Sequence, residues 1–148
     1  MIKKLNKKES GDIIDYLSTI FILGFIVAVI FLFTAYAQVV QTRMSVDNVL
    51  KEYLYLAEQN GYLSDDQILM MREDLIAVGI EPSSIETSGT TTSQVAYGQK
   101  VTVKCRCSFL NPIYSLLSKE EKGSSYYTVA NVNSTLTYER TLTATAKW

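Results

Sequence analysis

The sequence predicts an α+β protein built on one long N-terminal helix, and three observations carry that expectation. Residues 16–42 read YLSTIFILGFIVAVIFLFTAYAQVVQT, with no charged residue and no proline. The apolar run then passes into an amphipathic helical spacing that continues to Asn60-Gly61. Beyond Pro82 the chain changes to serine, threonine and β-branched residues with alternating polarity, the composition of strands. The expected fold is therefore a long helix with a transmembrane half and an amphipathic half, a short second helix, and a small antiparallel β-sheet packed on the stalk. The expected organisation is a basic cytoplasmic leader over 1–12, a transmembrane helix over 13–42, its amphipathic continuation over 43–60, and an extracytoplasmic α+β module over 61–148.

About 20 apolar residues in a helix span the roughly 30 Å hydrocarbon core of a bilayer, and residues 16–42 are long enough to do so. Lys3, Lys4, Lys7 and Lys8 precede the run, with no acid before Glu9. Lysines at one end of an apolar span hold that end in the cytoplasm, which predicts an internal N-terminus and an external C-terminal module. Tyr16 and Tyr36 stand near the two ends of the span, where amphipathic rings favour the interface. Gly24 and Ala28 have the small-xxx-small spacing that allows two helices to approach closely. A cleaved signal peptide is the competing reading, with Ala35-Tyr36-Ala37 as the cleavage site. The apolar core exceeds the 7–15 residues usual for such a signal, and this favours a retained anchor.

Glu9, Asp12 and Asp15 lie at the entrance to the span. Carboxylates at a helix start complement the macrodipole. An acid drawn into hydrocarbon instead requires a cationic partner. Here the chain resembles type IV pilin-like proteins, in particular the TadE-like minor pilins, on its basic leader, Gly11, Asp15 and long apolar helix. The resemblance implies that a prepilin peptidase cuts near Ser10, Gly11 and Asp12, and that Asp15 then pairs with the amino terminus of a neighbouring subunit. Two details depart from that pattern. Asp15 follows Gly11 by four residues instead of five, and Asp12 stands where an apolar residue is usual. An uncleaved, permanently anchored protein is the alternative.

Past Thr42, Val46, Leu50, Tyr53 and Ala57 follow i, i+4, i+7, i+11 spacing, flanked by Val49, Leu54 and Leu56. No breaker separates this stripe from the apolar run, so one helix is expected from about Ile13 to Asn60, ended by Gly61. Ser64-Asp65-Asp66-Gln67 is a capping-box sequence. Ile68, Met71, Leu75 and Ile76 then mark one face of a helix ending near Gly79. Asp65, Asp66, Glu73 and Asp74 lack the alternating ligands and central glycine of an EF-hand, and read as a solvated face.

Strands are expected at Ile85–Thr87, Gln94–Tyr97, Lys100–Leu110, Tyr126–Ala130 and Leu136–Trp148, giving a sheet of three to five strands. The clearest is Lys100–Leu110, where Val101, Val103, Cys105, Cys107 and Phe109 alternate with polar residues. Cys105 and Cys107 therefore point into the core as small hydrophobes, since nearly 7 Å between their Cα atoms is at the limit of disulfide geometry. Ile113, Tyr114, Leu116 and Leu117 form an apolar patch, and Asn131 with Asn133-Ser134 could turn a hairpin. Arg140 interrupts the apolar face of the last strand, so the strand bends or leaves a buried region there. Gly98-Gln99-Lys100-Val101-Thr102-Val103 and the threonine/alanine-rich Leu142–Ala146 are also similar to TadE-like ectodomains.

The chain has 148 residues, a net charge of -1, no histidine and two cysteines. The absence of histidine removes the commonest general base and metal ligand. No basic stripe suggests nucleic-acid binding, and no phosphate loop or ligand cluster nominates a cofactor or a catalytic site. The expectation is a non-enzymatic membrane protein without a cofactor. Its partners are membrane lipid and, through the N-terminal helix, other pilin-like subunits or the proteins of a conjugation or other envelope complex. The Ser64–Trp148 module is expected to fold in isolation.

Overall fold

The structure, a computed structural model, describes residues 5–112 and 134–147, with side chains from residue 14 onward. Helix α1 runs from Leu5 to Asn60, reaching the expected C-terminus but starting about two turns before Ile13. No proline lies in that stretch, a single glycine costs a helix only about 1 kcal/mol, and each added residue contributes a backbone bond once a nucleus exists. At the other end Gly61 takes a φ of 78° and donates its N–H to the Ala57 carbonyl at 2.8 Å. A side chain with a Cβ is strained in that conformation.

The chain divides into two compact units, Met1–Ala37 and Gln38–Trp148. The first is helical from Leu5. The second contains the rest of α1, helix α2 (Asp65–Ala77), a 3₁₀ turn at Pro82–Ser84, and strands β1 (Lys100–Leu110) and β2 (Thr135–Thr145). The fold is α+β, as the residue patterns predict.

The second unit is assembled on the stripe of α1. Val46, Leu50 and Ala57 are wholly buried and Tyr53 nearly so, with Val39, Val49, Leu54 and Leu56 partly buried beside them. They share a core with Met71 and Leu75 of α2 and with Val101, Val103, Cys105, Cys107 and Phe109 of β1. Helix α2 starts as expected: Gln67 N–H donates to Ser64 Oγ at 3.3 Å, and Ser64 N–H donates to Gln67 Oε1 at 3.0 Å. Ile76 departs from its expected place and is 42% exposed. Residue 76 lies about 100° around the helix from Leu75, so its side chain leaves the buried face that Met71 and Leu75 occupy.

Strands β1 and β2 pair antiparallel in unbroken register from Lys100↔Thr145 to Leu110↔Thr135. The ladder continues through Arg140, which pairs opposite Cys105, and the half-buried face of β2 is interrupted there, Arg140 being exposed between Tyr138 and Leu142. Two strands form the sheet among the described residues, and hydroxyl groups cover the other edge of β1. Ile85–Thr87 contributes a single bridge, Glu86↔Arg106. Thr90 Oγ1 accepts the Lys104 N–H and donates to the Lys104 carbonyl, each at 3.1 Å. Thr91 Oγ1 accepts the Thr102 N–H at 3.0 Å, and Ser84 Oγ accepts the Ser108 N–H at 2.9 Å. Side-chain oxygens satisfy backbone groups that a third strand would otherwise pair. Gln94–Tyr97 is not strand; Gly98, at φ 80°, turns the chain into β1. The Tyr126–Ala130 strand, the Ile113–Leu117 patch, the Asn131 and Asn133 turn and Trp148 lie outside the described residues.

This core argues against the expectation that Ser64–Trp148 folds alone, since Val46, Leu50, Tyr53 and Ala57 come from α1. A fragment beginning at Gln38 is expected to give a cooperative thermal transition and dispersed amide resonances. A fragment beginning at Ser64 is expected to give neither, because the face of β1 that carries Val101, Val103 and Cys105 then has no helix to bury it.

Candidate functional site: the apolar surface of the first helix

In the first unit, every described side chain from Ile14 to Ala37 is exposed except Ala35. Phe21, Phe25 and Phe33 are 75%, 71% and 72% exposed, which is opposite to the usual placement of such side chains in a water-soluble protein. The mean hydropathy of the most apolar 18-residue window is 2.7. Thr19 and Thr34 donate their hydroxyls to the carbonyls of Asp15 and Ile30, each at 2.8 Å. Donors are thus satisfied within the helix, as a lipid environment requires. Among the described residues, this is the one helix long and apolar enough to cross a membrane.

The sequence-predicted residues fall on this helix as follows. Ser10, Gly11 and Asp12 are part of its helical backbone. Asp15 is exposed, and it has no ion pair among the described residues. Gly24 and Ala28 lie one turn apart on a single face, and a Cβ built at Gly24 would meet nothing within 4 Å. Their small side chains leave a shallow place on the helix that no other described element fills.

The second unit holds a polar cluster that the residue pattern did not reveal. Asp47 Oδ1 accepts the Tyr138 hydroxyl at 2.8 Å and pairs with Arg140 Nε at 3.3 Å. The Arg43 guanidinium lies 5.6 Å from the centre of the Tyr138 ring, within the range of a cation–π contact. Arg140, read as an interruption, is therefore the partner of an acid on α1. The available signal was the interruption itself: a charge on an otherwise apolar strand face calls for a countercharge on whatever packs there. A second bond of the same kind, Tyr53 OH to Asp74 Oδ2 at 2.7 Å, ties α1 to α2. After β2, Lys147 is ion-paired with Glu58 of α1, and its N–H donates to the Glu58 carbonyl at 2.8 Å.

Cys105 and Cys107 are free thiols, buried on the helix-facing side of β1. The hydrogen bond with Cys107, together with burial, pushes the Cys105 thiol well above its ordinary range. A protonated, buried thiol is a poor nucleophile. Among the described residues, no group of three or more aspartate, glutamate or cysteine side chains is arranged to hold a metal ion. Comparison with family models, curated proteins and solved structures gives no match to this chain.

Burial and the hydrogen bond to Asp74 raise the pKa of Tyr53, and burial and the bond to Asp47 raise that of Tyr138. A tyrosine whose folded pKa exceeds its unfolded value contributes stability that is complete below about pH 10 and is lost as pH rises through the folded value. The raised Cys105 thiol acts in the same direction from the lower unfolded value of about pH 8.5, so the second unit is expected to weaken toward urea from about pH 8.5, with the tyrosine loss added above about pH 10. Replacing both residues, Tyr53→Phe with Tyr138→Phe, is expected to flatten that alkaline loss; an unchanged slope would locate it elsewhere.

Proposed function

We propose that this chain is a single-pass membrane protein that acts structurally, as a pilin-like subunit in the assembly of a surface filament or secretion apparatus. The observation that carries the reading is the exposed, charge-free apolar surface over residues 16–34, on a helix whose later residues build the core of a folded module. Burying one large apolar side chain contributes about 1.5–3 kcal/mol, so lipid, or the apolar helices of other subunits, is the environment this surface demands. Lysines before the span favour an N-terminus in the cytoplasm and the module outside. In this reading Asp15 meets the amino terminus of a neighbouring subunit after a prepilin peptidase acts near Gly11, and Gly24 and Ala28 let adjacent helices approach. The role is non-enzymatic and needs no cofactor.

A permanently anchored accessory protein of a conjugation or other envelope complex is the second reading. It is favoured by the helical backbone at Ser10, Gly11 and Asp12, because a peptide bond inside a helix must unwind locally before a protease can cut it.

The chain is expected to stay with the membrane pellet after alkaline carbonate extraction. Phe25→Arg combined with Val29→Arg, each costing roughly 2.5–3.5 kcal/mol on insertion at the helix centre, is expected to move it to the soluble fraction. Mass analysis of the N-terminus separates the two readings: a start at Gly11 or Asp12 supports the processed subunit, and an intact Met1–Asp12 leader supports the permanent anchor. With a processed N-terminus, Asp15→Ala is expected to abolish assembly while leaving membrane insertion intact.

A further inference from the structure

Helix α2 turns Met71 and Leu75 into the core and leaves an opposite face that is not the purely solvated surface its acids suggest. On that face Leu69 and Met70 are each 58% exposed and Ile76 is 42% exposed. Helical spacing groups them, since residues 69, 73 and 76 lie on one stripe with residues 66, 70 and 77 beside it. Isolated exposed apolar residues are ordinary, whereas a contiguous group rimmed by charge marks an interaction surface. The rim is of one sign. Asp65, Asp66 and Glu73 are exposed around the apolar group, and none of them is ion-paired among the described residues. Arg72, the one base on the helix, turns aside to donate to the Ile85 carbonyl at 3.4 Å. The acids in the first turn complement the helix dipole, but Glu73 lies beyond the first turn and has no such role.

We propose that the outer face of α2 docks a segment of a different protein that carries apolar side chains flanked by lysine or arginine. The charge pattern selects this occupant. A second copy using the same face would bring Asp65, Asp66 and Glu73 against their own equivalents, and like charges across an interface cost affinity. An anionic lipid surface is repelled for the same reason. A basic and apolar segment buries Leu69, Met70 and Ile76 while pairing with the three carboxylates. The surface belongs to the second unit, so it stands whether or not the N-terminal helix enters a membrane.

The test is site-specific photocrosslinking of the full-length chain in the cells that naturally produce it, with the photoreactive side chain at position 70. The expected adduct joins this position to another protein, and mapping of the crosslinked peptide finds apolar residues bordered by lysine or arginine. Asp66→Lys combined with Glu73→Lys is expected to lower adduct yield at least tenfold while the protein keeps a cooperative thermal transition, lowered only by the small dipole contribution of the first-turn acid. An adduct with a second copy of this chain, an adduct with lipid, a crosslinked segment without basic residues, or no adduct at all overturns the proposal. A yield unchanged by the two charge reversals overturns it as well.

Discussion

The second unit depends on one contact: the stripe Val46, Leu50, Tyr53 and Ala57 of α1 lying over the inner face of β1. A two-stranded sheet is marginal in water by itself, because one of its faces must be buried against something. The α1 stripe supplies that cover. Its helical period brings a side chain inward every three or four residues, while the period of two along β1 brings in Val101, Val103, Cys105, Cys107 and Phe109. Small sulfur-bearing side chains at 105 and 107 fit between the larger ones without adding a polar demand. Module and helix form one compact unit from Gln38 onward.

Polar groups then decide which elements sit where on that core. Asp47 draws Tyr138 and Arg140 of β2 to α1, and Asp74 draws Tyr53 of α1 to α2. Two of these bonds join a phenol to a carboxylate and the third a guanidinium to a carboxylate, and hydrogen bonds to a charged partner are stronger than neutral ones. Along the outer edge of β1, Ser84, Thr90 and Thr91 satisfy backbone groups with their hydroxyls. Such an edge is closed to further pairing without an additional strand, which blunts the tendency of open edges to recruit other chains.

Local patterns were legible wherever one residue's chemistry is decided by its neighbours in the chain. The α1 stripe, the capping box of Ser64 and Gln67, the alternation of β1 and the inward placement of both cysteines follow from period and spacing. The strand at Ile85–Thr87 was not legible as a single bridge, because short β-branched runs look alike whether a backbone ladder or a row of hydroxyls completes their bonds. Ile76 was grouped with Leu75 on one face, yet adjacent helical residues lie about 100° apart, and only Leu75 of the two reaches the core. The Asp47–Arg140 pair joins residues far apart in the chain, and no local window contains both.

The apolar surface of residues 16–34 sits at the other extreme. Its length, its lack of charge and its basic flank are properties of composition, and composition alone specifies the environment it requires. Gly24 and Ala28 could be found by spacing, and in the folded chain they face open space. The unbroken helix from the apolar span to Asn60 was equally visible, because helix propagation is a local process interrupted only by particular residues. Folding in three dimensions settled the partners: which strand face meets the helix, which acid answers Arg140, and which apolar residues of α2 remain uncovered. Those outcomes arise from contacts between distant segments, whose energies no run of neighbouring residues encodes.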